Sequence, residues 1–231
     1  MNVAHRRLFI AAILAAVCLP GAPAPAQVGQ NAFAVTYFEV APSGAATATN
    51  LLKEVAAASR KEAGNLRYEV LAQIDRPNQF AILEAWSDAK ALESHGGAAA
   101  VTKFRAALKP LQISPYDERP SVPLAVGPVQ AAGSAGAIFV LTHVDVAGGQ
   151  RDPGVAILNK LAADSRKEPG SARFEAWQQG NRANHFTVNE VWKDQAAYEA
   201  HILAASTRDY RGKIGPMLGA LHDDRLYRAI E

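Results

Sequence analysis

Glu84, Trp86 and Asp88 are followed by Ala91 and His95, and the same order returns as Glu190, Trp192, Asp194, Ala197 and His201. An imidazole is the side chain whose proton affinity lies nearest neutral pH, so His95 and His201 are the candidate general bases. Trp86 and Trp192 supply the apolar wall that would orient an aromatic ring and exclude water. Strand alternation puts Glu84 and Glu190 on the same face as the tryptophans, and they are read with them as substrate-contacting. Arg67 and Arg173 are candidate donors for a developing oxyanion, with Tyr37 and His143 as further donors. Each has an ordinary structural alternative: a core Trp, a capping Asp, a His hydrogen-bonded where helix meets sheet, an Arg in solvent.

Other chemistries find little support. The six histidines form neither an H-E-x-x-H nor an H-x-x-E-H pattern, so no metal ligands are expected. No glycine-rich phosphate loop follows a strand and there is no nucleophile elbow, so no cofactor is expected. The single cysteine, Cys18, lies in an N-terminal segment with the features of an export signal. Arg6 and Arg7 precede an apolar run from Leu8 to Leu19, and small residues reach Ala26, after which cleavage is expected. A helix of about twelve residues spans about 18 Å, short of a bilayer core of roughly 30 Å. Residues 1–26 are therefore read as a signal peptide, which places the mature chain in the periplasm or outside the cell with no membrane span. Without them the chain holds no cysteine, and its basic and acidic residues balance. That leaves thiol chemistry out and gives no electrostatic footprint for nucleic acid.

The elements that must position the two strings come from a duplication. Shifting the chain by 106 residues aligns Ser59-Arg60-Lys61-Glu62 with Ser165-Arg166-Lys167-Glu168, and Gly64, Arg67, Glu69, Asn78, Phe80 and Arg105 with identical partners. About a third of the paired positions agree without a gap. Residues 33–120 and 139–231 are thus two copies of one unit, joined by a Pro-, Gly- and Ala-rich linker over 121–138. Each copy opens with a β-branched and aromatic strand, Phe33 to Val40 or Phe139 to Val146, and then a helix that stops at Gly64 or Gly170. Two strands follow, Arg67 to Gln73 and Gln79 to Trp86 in the first copy. Next come an N-cap at Asp88 or Asp194, a helical region closed by Pro110 or Pro216, and a last short strand. The order β-α-β-β-α-β is a ferredoxin-like unit in the α+β class. One such unit leaves a sheet face uncovered, so the two sheets are expected to meet face to face, making an α/β barrel as a pseudo-dimer within one chain. A homodimer of such chains is a further option. The pairs Tyr37/His143, Tyr68/Phe174 and Gln79/His185 differ between copies, which allows one half to keep a site while the other becomes scaffold.

The string E-x-W-x-D-x-x-A-x-x-x-H after a strand resembles the antibiotic biosynthesis monooxygenase superfamily of dimeric α/β barrels, and the likeness covers both copies. The resemblance implies a cofactor-independent monooxygenase that deprotonates a small phenolic or quinol substrate and lets it reduce dioxygen. Many members carry a second His five residues after the first, where this chain has Ala100 and Ser206. The first-strand Asn of the haem-degrading branch is missing from both copies, so haem cleavage is not implied. A non-catalytic binding protein for an aromatic or lipophilic molecule is the alternative on the same fold.

Overall fold

A computed structural model describes residues 30–129 and 135–230, so the expected signal peptide lies outside the described residues. In the first unit β1 (Ala32–Glu39), α1 (Ala45–Ser59), β2 (Asn65–Gln73) and β3 (Gln79–Trp86) lead to α2 (Ala89–Gly96), α3 (Ala99–Leu108) and β4 (Asp117–Ala125). The second unit repeats this as β5 (Ile138–Asp145), α4 (Arg151–Ser165), β6 (Ser171–Gln179), β7 (His185–Trp192), α5 (Gln195–Ile202), α6 (Ala205–Ile214) and β8 (Asp223–Ala229). The expected N-caps form: Ala91 N donates to Asp88 Oδ1 and Ala197 N to Asp194 Oδ1, both at 2.8 Å. The region read as one helix is two in each copy. Ala98 and Ala204 adopt extended backbone between them, so the break does not depend on Gly96 and Gly97, which the second copy lacks.

The eight strands close into one barrel in the order β1-β3-β2-β8-β5-β7-β6-β4. The two units therefore meet by strand edges as well as by faces. β8 pairs with β5 through Asp223–Tyr227 and reaches over to β2 through Tyr227–Ala229. β4 does the converse, pairing with β1 up to Ser121 and with β6 from Ser121 onward. β4 thus runs on past residue 120, into the stretch read as linker. Pro120 and Pro123 are tolerated there since each half of β4 has one main partner, as an edge strand does.

Alternation along the strands makes two separate apolar layers. Phe33, Leu71, Leu83, Phe139, Trp177 and Tyr227 fill the barrel, with Phe33 stacked on Trp177 at 4.9 Å between centroids. Phe80, Ile82 and Trp86, and likewise Phe186, Val188 and Trp192, face outward under the helices. Inside the barrel Arg67 donates to Glu175 at 3.1 and 2.8 Å, and Arg173 donates to Glu69 at 2.9 and 2.7 Å. These are two bidentate pairs crossing between the units, all four residues buried.

Gly64 and Gly170, with φ of 83° and 85°, turn the chain from α1 or α4 into the next strand. A Cβ at either would stand 2.7 Å from the Cβ of Ala91 or Ala197. Gly170→Ala is expected to lose roughly 1–2 kcal/mol from the left-handed backbone alone, and more from that contact. Gly212→Ala in α6, where nothing lies within 4 Å, serves as the neutral or stabilising control in denaturant unfolding.

Candidate active site

The second copy of the string converges under α5 and α6, on the outer face of the barrel. Trp192, the last residue of β7, donates its indole N–H to Glu190 Oε2 at 2.7 Å, and its ring stacks on His201 from α5 with centroids 4.5 Å apart. Glu168, just after α4, lies 2.9 Å from His201 Nδ1. A carboxylate only accepts, so Nδ1 carries the proton and Nε2 is left as the base. That nitrogen is 3.6 Å from Glu190 Oε2. Ser206 donates to the other oxygen of Glu168 at 3.1 Å and so steadies the carboxylate that orients the imidazole.

Burial sets the protonation states. It pushes the Glu190 carboxyl up to about 8, with the Trp192 hydrogen bond only partly opposing it. It also draws the His201 imidazole below its ordinary value, against the pull of Glu168. Near neutral pH the site therefore holds an uncharged base beside a protonated acid. Burial likewise holds the Tyr198 and Tyr210 phenols above their usual range, so both stay neutral. The Tyr210 hydroxyl is buried without a hydrogen-bond partner among the described residues. Tyr210, His201, Glu190 and Thr207 share the lining of a cavity of about 20 Å³, room for about one water.

In the first unit the same frame is built and the space is spent differently. His95 lies 3.1 Å from both oxygens of Glu62 and 3.4 Å from Glu84 Oε2, and Trp86 donates to Glu84 at 2.9 Å. Leu92, Val101, Phe104 and Tyr116 stand where the second unit has Tyr198, Thr207, Tyr210 and His222. Phe38, opposite Val144, stacks on Phe80 at 5.4 Å and on Tyr116 at 5.7 Å, and Phe104 meets Phe38 edge-on. Aromatic rings thus occupy the region that polar side chains line in the second copy.

Of the residues singled out by sequence, each Glu, Trp and His set comes together in its own unit. Arg67 and Arg173 do not join them. They sit on the inward face of β2 and β6, engaged by Glu175 and Glu69, because Tyr68 and Phe174 take the outward positions of those strands. Tyr37 and His143 also face inward, near the barrel mouth with Arg119 and Arg225. Glu62, Glu168, Thr207 and Tyr210 were not among the sequence-predicted residues. The duplication held the signal: the two glutamates end a repeated string, and the others are polar at buried positions whose mates are apolar.

A pH dependence follows for stability. Glu84, also pushed up by burial to about 8, and Glu190 take up protons on folding, so their contribution is full below the ordinary value of 4.5 and is lost as pH rises through about 8. His201 acts in the opposite sense, costing stability as it protonates in acid. Denaturant unfolding at pH 5 and pH 8.5 is expected to show a larger drop in the native chain than in Glu84→Gln plus Glu190→Gln. Equal slopes would mean that these carboxyls are not held protonated.

The sequence model of a family described as antibiotic biosynthesis monooxygenase matches the chain twice, at residues 32–107 and 137–211. No curated protein matches. Among solved structures, a candidate monooxygenase from Fusobacterium nucleatum subsp. nucleatum ATCC 25586 aligns with TM-score 0.78 and 16% identity over 88% of this chain and 94% of that one. A candidate monooxygenase from Lactobacillus acidophilus NCFM gives 0.73 and 14% over 87% and 95%. An anthrone oxidase-like protein gives 0.68 and 12% over 87% and 92%. At these identities the likeness is one of fold, and it extends over both units.

Proposed function

The chain belongs to the antibiotic biosynthesis monooxygenase family, and from that premise we propose that it is an exported, cofactor-independent monooxygenase of small phenolic or quinol substrates, working in the second unit. The observation that carries this reading is the His201 arrangement: an imidazole with Nδ1 fixed by Glu168, and Nε2 facing Thr207 Oγ1 at 3.4 Å and the protonated Glu190 at 3.6 Å. His201 Nε2 takes the phenol proton. The resulting phenolate reduces dioxygen, and a ring carbon carries the hydroperoxide. Loss of one water, with Glu190 as proton donor, leaves a quinone. One oxygen atom enters the product and one enters water, and the substrate supplies all four electrons, so no redox cofactor is required.

A cavity the size of one water does not hold a phenolic ring, since pockets for small organic ligands run to roughly 300 Å³ or more. Ring entry therefore displaces the turn between α5 and α6, where the Leu203 side chain is 69% exposed. The charged, apolar and small-residue pattern of residues 1–26 supports export. The test is oxygen uptake with a panel of hydroquinones and anthrone-like phenols, in which one dioxygen per quinone formed is expected. No uptake with any member of the panel would overturn the reading.

A further inference from the structure

We propose that the second unit carries, at the barrel rim, a site for one divalent transition ion of the zinc class, held by His143, Asp145 and His185. Strand register makes the trio. Asp145 lies directly opposite His185 across the β5–β7 pair, and His143 is two residues earlier on the same face as Asp145. Asp145 Oδ1 stands 3.0 Å from His143 Nε2 and 2.6 Å from His185 Nδ1, and one ligand atom from each residue lies within 4.8 Å of the other two. Ligands bonded at about 2.0–2.1 Å in tetrahedral zinc geometry are about 3.3 Å apart, so the trio needs to open by only a few tenths of an ångström to take the ion.

The oxygen is buried, yet neither imidazole N–H is aligned to donate to it. Two nitrogens that crowd one carboxylate oxygen without hydrogen-bonding to it are disposed as ligands around a shared ion. Two imidazoles and a carboxylate suit a borderline ion such as Zn²⁺ or Co²⁺ better than Mg²⁺ or Ca²⁺, which favour oxygen ligands. Three protein ligands leave coordination positions for solvent or a small anion. Arg119 flanks His143, its Nη1 3.1 and 3.2 Å from the two ring nitrogens, and also pairs with Asp117, so a bound ion must displace its contact with the imidazole.

The first unit is a built-in control. Tyr37, Glu39 and Gln79 occupy the three equivalent positions, and Glu39 accepts from Asn78. The site faces the barrel mouth, whereas His201 lies on the helix side of the sheet, so either proposal survives failure of the other.

The experiment titrates the full chain, made without a histidine tag, with Co²⁺ followed by its visible absorption, and then displaces it with Zn²⁺. One ion per chain is expected, with Zn²⁺ raising the melting temperature. His143→Tyr and His185→Gln, which install the residues the first unit already folds with, are each expected to weaken binding by at least roughly tenfold and to abolish the thermal shift. His201→Ala is expected to leave both readouts unchanged. Absence of binding in the native chain, or binding that persists in both rim variants, would overturn the proposal.

Discussion

His201→Ala is expected to lower kcat for oxygen uptake by about two to four orders of magnitude, the usual contribution of a positioned general base, while His95→Ala changes it little. The two imidazoles have nearly the same immediate partners: a glutamate at Nδ1, a second near Nε2 and an indole across the ring. What separates them is Thr207, whose hydroxyl lies 3.3 and 3.4 Å from the His201 ring nitrogens where the first unit has Val101, and the layer behind it. Around His201 the lining includes Thr207, a Tyr210 hydroxyl with no hydrogen-bond partner among the described residues, and a water-sized cavity. The corresponding region of the first unit is packed by Phe38, Phe104 and Tyr116. Steady-state rates on the best quinol of the panel decide the matter. Equal losses in the two variants would show that both halves turn over and that the polar lining of the second is not what makes a site.

Cutting one of the crossed pairs inside the barrel is expected to be the most destabilising single change. Arg67→Met leaves Glu175 buried without its main cation, at a cost of about 3–5 kcal/mol. The double change Arg67→Met plus Glu175→Met removes both charges and is expected to recover most of that loss, since a buried pair replaced by apolar side chains of similar volume is often neutral or better. Asn189, which donates to Glu175 Oε2 at 3.4 Å, then loses one acceptor, so recovery stops short of complete. Denaturant unfolding of the single and double variants gives the comparison. A single variant within about 1 kcal/mol of the native chain, the range of exposed pairs, would mean that water reaches the barrel interior. Because the pairs run from Arg67 to Glu175 and from Arg173 to Glu69, they link the units through their side chains, in addition to the backbone bonds of β2 to β8 and β4 to β6.

Much of this was legible before any coordinate. The 106-residue shift, the period-2 alternation from Phe80 to Trp86 and the capping Asp88 and Asp194 are local or self-referential patterns, and local backbone preference with side-chain burial determines them. They were enough to place two ferredoxin-like units in one barrel and to bring each Glu, Trp and His together. That Arg67 and Arg173 face the barrel interior was not legible, for a nameable reason. Residues 67 to 70 alternate Arg, Tyr, Glu and Val, and sequence does not say which of two partly polar faces turns inward until a partner carries the complementary charges.

Sequence alone therefore determined the unit, its duplication and the grouping of each His with its Glu and Trp. Tertiary structure decided which half surrounds its His with polar side chains and a water-sized cavity, because a cavity is a difference between large packed volumes, and exchanges such as Phe38 for Val144 act on it from a different strand. It also decided that His143, Asp145 and His185 meet, since a ligand set drawn from two paired strands has no fixed spacing along the chain and exists only once the register between those strands is set.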